Sequence, residues 1–207
     1  MFETIKEANK YIGGLSKPSK MPCPSLSIPA ESCRIGAVLR KIKGSVCSDC
    51  YACKGNYVFP SVKNALKLRL ESTKKPYWVD AIVFIINKKG LKYFRFFDSG
   101  DIQSVKMLDN ICEIARRCPS CKIWLPTRET GILQAYVKPI PANLIIRISA
   151  KMIDGPAPER LARKLGFTVS TVSTGAFNCL APKQGGECRE CRKCWDKETF
   201  KVSYKKH

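Results

Sequence analysis

Seven of the twelve cysteines fall into two groups whose spacing suits metal ligation. The first block consists of Cys33, Cys47 and Cys50, and the second block consists of Cys179, Cys188, Cys191 and Cys194. Thiolates are soft ligands that select iron–sulfur clusters or zinc. The one histidine is His207, so a Ser-His-Asp triad and histidine-based zinc catalysis are not expected. The two blocks therefore predict metal-centred chemistry.

The first block has the ligand number of an open cluster. Cys47-x2-Cys50 lets two thiolates reach one metal centre, and Cys33 adds a third across a 13-residue loop. Three cysteines around a four-iron cubane leave one iron free for a substrate or water, whereas a structural zinc site takes four ligands. Cys53 extends the run to a ferredoxin-like Cys-x2-Cys-x2-Cys. Spacing therefore leaves open whether Cys33 or Cys53 is the third ligand, and a zinc-stabilised loop is the alternative.

The second block supplies four thiolates, because Cys179 lies nine positions before Cys188-x2-Cys191-x2-Cys194. A site with four cysteines has no free coordination position, which favours electron transfer or a structural role. The basic residues beside these cysteines favour thiolates and an anionic cluster. Zinc is the alternative metal. The two blocks could also share one cluster, so the sequence predicts one or two [4Fe-4S] clusters.

Composition limits the class of protein. A chain of 207 residues with 44% hydrophobic residues is long enough for one well-buried core. It has no signal-peptide pattern and no apolar run of about 18 residues, so secretion and membrane insertion are not expected. In a reducing cytosol, cysteine clusters usually indicate metal binding or catalysis. The net charge of +20 makes nucleic acid a candidate partner, with a solvated lysine-rich surface as the alternative.

Short strands alternate with helices along most of the chain, which predicts a parallel sheet with helical crossovers. Strands are predicted at 25–29, 93–97, 122–125, 143–148 and 167–172, and helices near 62–72, 79–86, 104–115 and 158–166. The predicted fold class is α/β: a single-domain, complete or partial TIM-like (β/α) barrel with a cysteine-rich metal loop. Residues 1–22 are predicted to be a basic lead-in, 23–178 the barrel-like domain, and 179–207 a cysteine-rich segment packed on that domain.

Polar side chains follow the predicted strands, where sites of parallel α/β folds lie. Asp98 could hold a substrate amine or transfer a proton. Asp101 is interpreted as a helix cap. Arg128, beside Glu129, could bind a carboxylate or phosphate, with an internal ion pair as the alternative. Arg147 lies in an apolar strand and needs a strand-end carboxylate or a bound anion as partner. The predicted catalytic residues are Asp98, Arg128 and Arg147.

Several motifs together resemble the phage "gene product 88" protein family. They are Met21-Pro-Cys-Pro-Ser-Leu-Ser-Ile-Pro-Ala30, Cys47-x2-Cys50-Tyr-Ala, Phe97-Asp-Ser-Gly-Asp101, Trp124-Leu-Pro-Thr-Arg-Glu129 and Cys188-x2-Cys191-x2-Cys194-Trp195. The resemblance runs from about residue 19 to the end. It implies a viral or prophage origin, a location in the host cytoplasm, and an iron–sulfur type of cysteine pattern.

Three positions depart from what the resemblance implies. Cys23 and Cys53 stand where glycine and leucine are expected, which argues against both as ligands and for the cysteines of the first block. Phe97 stands where histidine is expected, which puts a proton-transfer role at that position in doubt.

The first block is also similar in logic to radical S-adenosylmethionine enzymes, in which three cysteines after the first strand of a partial barrel hold a cubane. The similarity implies cofactor contacts at Asp98, Ser99 and Gly100, although the compact Cys-x3-Cys-x2-Cys and Gly-Gly-Glu patterns are absent. The leading hypothesis is redox or radical-type chemistry at an open [4Fe-4S] cluster, with S-adenosylmethionine as candidate cofactor and an electron donor or acceptor as partner. The alternatives are a zinc-stabilised nucleic-acid-binding protein and a pure electron carrier.

Overall fold

The structure is a computed structural model that describes residues 2–206. One six-stranded sheet runs through it, with every paired strand parallel to its neighbours. The strands, in their order across the sheet, are β1 (Ser25–Leu26), β2 (Tyr93–Phe96), β3 (Lys122–Thr127), β4 (Leu144–Ser149), β5 (Thr168–Ser173) and β6 (Lys201–Lys205).

The described residues also form seven α-helices. They are α1 (Ile5–Tyr11), α2 (Arg34–Leu39), α3 (Pro60–Ser72), α4 (Trp78–Lys88), α5 (Val105–Arg117), α6 (Thr130–Ala135) and α7 (Glu159–Leu165). Short 3-10 turns occupy 51–53, 55–58 and 193–195 near the cysteines. Of the helices in residues 2–206, none is both long and apolar enough to cross a bilayer.

The predicted α/β class with a parallel sheet is confirmed, but the sheet is not closed. Each strand pairs with its neighbours in sequence, and β1 and β6 remain the two edges. The complete barrel that was one form of the prediction is therefore not found. A closed TIM barrel needs eight strand–helix units and typically about 250 residues, more than this chain offers.

The two faces of the sheet differ in chemistry because side chains alternate along each strand. One face is apolar and packs against the helices, above all α4 and α5. It carries Phe94, Phe96, Ile123, Leu125, Ile146 and Ile148, all nearly inaccessible to solvent. The other face, here called the inner face, carries Tyr93, Arg95, Trp124, Arg147, Ser170 and Tyr204. The two arginines of the strands, Arg95 and Arg147, thereby lie on the side away from α4 and α5.

The lead-in packs on this domain. Helix α1 lies against α4, and Ala8 and Ile12 are fully buried. Ser16 and Ser25 exchange two backbone hydrogen bonds, so this segment also covers the edge of β1. The start of the helix predicted near 104–115 agrees with the structure. Ser104 caps α5 by accepting from the Met107 N–H at 3.1 Å.

Candidate functional site

A cavity of about 770 Å³ lies over the inner face and reaches the carboxyl ends of the strands. Its volume is in the range of small-molecule sites. All three cysteines of the first block line it, together with three of the second block: Cys33, Cys47, Cys50, Cys179, Cys188 and Cys194. The two blocks, far apart in sequence, therefore share one cavity.

Cys33 is positioned by the start of α2. It occupies the N-cap of that helix, and the Glu129 carboxylate accepts from the Ile35 N–H at 2.9 Å. Gly36, one turn further, leaves space between thiols. A Cβ built on Gly36 would lie 3.6 Å from Cys33 Sγ and 3.8 Å from Cys47 Sγ. Both sulfurs therefore approach one small region of the cavity wall.

Cys47 is held by the loop before it. The buried Ser45 hydroxyl donates to Leu39 O at 2.5 Å, and Ser45 Oγ accepts from the Ser48 N–H at 2.9 Å. Val46 N–H donates to Lys151 O at 2.9 Å, which joins this loop to the segment after β4. Cys47 is only 8% exposed as a result.

Burial dominates the electrostatics of the first block. It raises the pKa of the Cys33 thiol to about 12, and Asp101 and the thiols of Cys47 and Cys50 act in the same direction. Burial also raises the pKa of Cys47, against the opposing charge of Arg128. Without a metal these thiols are therefore held protonated, and a bound metal would have to displace the protons.

Cys53 lies beside Cys50 but does not line the cavity. Arg40 Nη1 donates to Cys53 Sγ at 3.4 Å. The thiol of Cys53 is one cause of the raised pKa of Cys50, after burial and alongside Cys47. The structure thus places Cys53 at the side of the first block, with its sulfur turned to an arginine.

Asp98, predicted as a site residue, lines the cavity with its carboxylate fixed by hydroxyl groups. Oδ1 accepts from Ser25 at 2.5 Å and from Ser27, and Oδ2 accepts from Tyr57 at 2.6 Å. The hydroxyl of Tyr51 donates to the backbone carbonyl of Asp98. The carboxylate therefore has one fixed orientation in the cavity wall.

Ser99 and Gly100, predicted to contact a cofactor, hold this turn against the segment after β1. The buried Ser99 hydroxyl donates to Ile28 O at 3.0 Å. Gly100 has φ +88°, and a Cβ there would lie 2.2 Å from Ile28 Cγ1 and 2.8 Å from Ile28 O. Only glycine fits this approach, so both residues serve to place Asp98.

The interpretation of Asp101 as a helix cap is wrong, because Ser104 caps α5. Asp101 instead joins two strand ends: Oδ1 accepts from Thr127 Oγ1 at 2.6 Å and Oδ2 accepts from the Arg128 N–H at 2.9 Å. Burial raises its pKa to about 6, although these hydrogen bonds favour the carboxylate. Asp101 is thus a buried acid next to the first block, a position that the sequence did not indicate.

Arg128 lines the cavity, as predicted for a strand-end residue. Its Nε donates to Ala150 O at 3.1 Å, and its guanidinium lowers the pKa of Cys47 against the larger effect of burial. The alternative partner, Glu129, is used elsewhere, on the Ile35 N–H. Arg128 therefore presents positive charge to the first block.

Arg147 has a different partner from the predicted carboxylate or anion. It is fully buried, and its two terminal nitrogens donate to backbone carbonyls at 2.9–3.4 Å. These carbonyls belong to Val169, Lys193, Asp196, Thr199 and Phe200. Arg147 also does not line the cavity. It holds the cysteine-rich segment to the sheet, which favours a structural role over a catalytic one.

The second block sits on the inner face of the sheet. Trp195 Nε1 donates to Phe94 O at 2.8 Å, and its ring packs edge-on against Trp124 at 5.3 Å. Cys194 Sγ lies 3.2 Å from the Tyr204 hydroxyl, and burial raises its pKa to about 11. Cys179 N–H donates to a carbonyl of β6 at 3.0 Å. The C-terminal end of this block, at Cys194, therefore lies among aromatic side chains.

The remaining cysteines divide between core and site. Cys112, Cys118 and Cys121 are almost fully buried in the apolar core, where they act as packing residues. Cys23, unassigned from sequence, packs with Trp124, Trp195 and Cys194 at the second block. Within residues 2–206, no three His, Cys, Asp or Glu side chains converge closely enough to hold one metal ion.

Gly36, Tyr57 and Arg95 also line the cavity and were not singled out from the sequence. Arg95 stacks over the Trp124 ring at 4.2 Å, and its positive charge lowers the pKa of Cys23 and of Cys194 against the larger effect of burial. Burial lowers the pKa of Arg95, but Tyr51 and Asp98 outweigh it and raise that pKa. Arg95 also lies in a strand beside apolar residues, so the sequence could have indicated that it needs a partner, as it did for Arg147.

The family model described as gene product 88 matches residues 3–197. No curated protein and no solved structure shows significant similarity to the chain. The match extends beyond the motifs that suggested the resemblance, because it includes α1 and the lead-in. It covers nearly all of the sheet and both cysteine blocks. The chain therefore belongs to the phage gene product 88 family.

Proposed function

We propose that the chain is an iron–sulfur protein whose first block holds a [4Fe-4S] cluster with one open iron, used for redox or radical-type chemistry. One observation carries this proposal: Cys33, Cys47 and Cys50 follow β1 and line a cavity with Asp98 and Arg128 at the strand ends. Ligand sites in parallel α/β folds lie at this end of the strands.

The donor set fits such a cluster better than a single zinc ion. Cys33 and Cys47 face a common region beside Gly36, yet no three donors among the described residues converge on one ion. Thiolates of a four-iron cluster bind different iron atoms and so lie further apart than those sharing one metal. Arg40 and Arg128 lie near the block and offset the negative charge that thiolates would bring.

A bound cluster would supply single electrons and one coordination position for an amine–carboxylate ligand such as S-adenosylmethionine. The residues of the chain would bind and orient that ligand. Arg128 can pair with its carboxylate, and Asp98, fixed by three hydroxyls, can accept from a cationic amine. Ser99 and Gly100 keep Asp98 in place.

The strand order supports the finer form of the fold proposal, a partial (β/α) barrel. Crossovers between parallel strands are right-handed, so a sheet that grows in one direction keeps its helices on one face. The inner face is then free for the site.

We propose that the second block holds a second cluster, which exchanges electrons with a donor or acceptor in the host cytoplasm.

Anaerobic purification followed by iron and sulfide analysis tests this proposal. The expected result is a brown protein with both elements. In a matched pair, Cys50→Ser is expected to abolish the first cluster, because a hydroxyl is a poor substitute for thiolate, whereas Cys53→Ala keeps it. A colourless protein that carries stoichiometric zinc after anaerobic preparation would contradict the proposal.

A second candidate function is nucleic-acid binding by a zinc-stabilised chain. The supporting observation is the basic rim of the cavity, where Lys17, Lys20, Lys205 and Lys206 accompany the net charge of +20. Binding to phosphates releases counterions, so affinity would fall steeply with salt. A binding assay with single- and double-stranded DNA and RNA at increasing salt tests this, and a weak, salt-independent signal would exclude it.

A further inference from the structure

Cys23 stands apart from both blocks in sequence but not in space. It lies two residues before β1, is 7% exposed, and packs in one cluster with Trp124, Trp195 and Cys194. The segment before it is tied to the second block, because Cys188 N–H donates to Lys20 O at 2.8 Å.

Cys191 is placed differently from the other members of its block. Cys179, Cys188 and Cys194 line the cavity, whereas Cys191 does not. It is also not part of the cluster that contains Cys23 and Cys194. Cys23 does not line the cavity either, but it packs against Cys194. Five thiols are thus present where four ligands are enough, and the packing on Cys194 favours Cys23 over Cys191.

Two buried donors beside these thiols have no acceptor. Trp124 Nε1 and Arg95 Nε are inaccessible to solvent and have no hydrogen-bond partner in residues 2–206. Trp124 is 5% exposed, and both side chains line the cavity. Buried N–H groups are almost always paired, and an orphaned one costs about 1–3 kcal/mol. Both residues line the cavity that the two blocks share, so an acceptor bound in that cavity could pair with these N–H groups.

We propose that Cys23 is a ligand of the metal site of the second block, with Cys179, Cys188 and Cys194, and that Trp124 and Arg95 donate hydrogen bonds to the sulfur atoms of the bound cluster. The resemblance to the family argued against Cys23, but its position in the structure points the other way. The inference rests on the proposed function only in requiring that the second block binds metal.

The variants Cys23→Ala and Cys191→Ala form the matched test. Each is prepared anaerobically, with iron and sulfide measured and the reduced protein examined by electron paramagnetic resonance. The expected result is that Cys23→Ala loses the iron and the signal of one cluster and keeps those of the first block, which shows that it is folded. Cys191→Ala is expected to keep both clusters.

The variant Trp124→Phe tests the hydrogen bond to the cluster through its reduction potential, which a purely structural role of Trp124 would leave unchanged. It is expected to keep its iron but to lower the reduction potential of one cluster, because hydrogen bonds to the sulfurs set that potential. An unchanged potential would remove Trp124 from the proposal.

Full iron content in Cys23→Ala would overturn the assignment of Cys23, as would loss of the second cluster in Cys191→Ala. Loss of both signals in Cys23→Ala would also count against it, since this would indicate unfolding. If the wild-type chain binds zinc and no iron, the proposed function fails, but the same pair of variants measured for zinc still decides the role of Cys23.

Discussion

The two cysteine blocks share one cavity but differ in the side chains that surround them. The first follows β1 and meets ionisable groups, Asp98, Asp101 and Arg128, at the strand ends. The second meets aromatic side chains at Cys194 and is tied to the sheet by Arg147 and by Trp195. The side chains near the first block could therefore bind a ligand, whereas those near the second hold the cysteine-rich segment on the sheet.

The two blocks also differ in what holds their surroundings in place. Polar groups near the first block are held by neighbouring loops, as Asp98 is by three hydroxyls. The second block depends on one buried arginine that binds five carbonyls of its surroundings. Substitutions that loosen the second block should therefore mainly lower the free energy of unfolding. Substitutions near the first block should mainly change the geometry of the candidate site.

Removing Arg147 is expected to have the largest effect. Arg147→Met removes a side-chain donor from five backbone carbonyls, of which Lys193 O and Phe200 O also accept from a backbone N–H. We expect a loss of about 4 kcal/mol in the free energy of unfolding. Urea unfolding of the metal-free chain measures it, and hydrogen exchange should rise over residues 193–200. Arg116→Met, on the exposed face of α5, is the control and should change stability by less than about 0.5 kcal/mol. Equal stabilities of the two variants would refute the account of Arg147.

Gly100→Ala should disturb the first block. The new Cβ would overlap Ile28 at a residue with φ +88°, so we expect about 2–4 kcal/mol of destabilisation from overpacking and backbone strain. Thermal unfolding of the metal-free chain measures this loss. Gly131→Ala is the matched control, because a Cβ there meets nothing within 4 Å and α6 favours alanine. If Gly100→Ala is as stable as Gly131→Ala, the close packing on Ile28 is not as described.

Asp101 predicts a dependence of stability on pH. Its pKa rises from the ordinary 3.8 to about 6 on folding, because the carboxyl group is buried. The protonated form is thus favoured in the folded chain, and this contribution is complete below about pH 4 and lost as pH rises through 6. The loss amounts to about 3 kcal/mol. Metal-free Asp101→Asn, which lacks this titration, should show a flatter stability profile between pH 4 and 6.5, and parallel profiles would contradict the assignment.

The two tryptophans of the inner face give the smallest expected effect. Trp195→Phe removes the hydrogen bond to Phe94 O, and we expect a cost of about 1–2 kcal/mol in the metal-free chain. Trp124→Phe removes an N–H that has no partner among the described residues, so it should cost less. Urea unfolding of the two variants side by side measures the difference. The opposite order would show that Trp124 is bound to something in the metal-free chain.

Much of the fold could be predicted from local pattern, because apolar periodicity and caps act over a few residues. Ser104 and the strands before the polar turns are examples. β6 was missed because Lys201-Val-Ser-Tyr-Lys205 alternates charge with apolar residues and looks like a basic tail, although lysines are usual on an edge strand. The openness of the sheet depends on the number of strand–helix units, which no single segment reveals.

The cysteine content of the candidate site was predictable from the sequence, but the contacts of its residues were not. Cysteine spacing identified both blocks, since ligands of one site are often close in sequence. Arg147 could be recognised as needing a partner, but carbonyls from a segment about 50 residues away cannot be read from spacing. Cys23 and Arg95 were missed for the same reason: their neighbours are brought to them only by the pairing of β1, β2 and β3.

The most direct test of the account is a measurement on the first block alone. A Cys188→Ser/Cys194→Ser variant, prepared anaerobically, should retain only the first cluster. Electron paramagnetic resonance of the reduced protein is then recorded with and without S-adenosylmethionine. An open iron beside Asp98 and Arg128 predicts that the ligand changes the spectrum. A spectrum that no amine–carboxylate ligand perturbs, with a fourth cysteine bound to that iron, would contradict the open site and leave electron transfer or structural support as the role of the cluster.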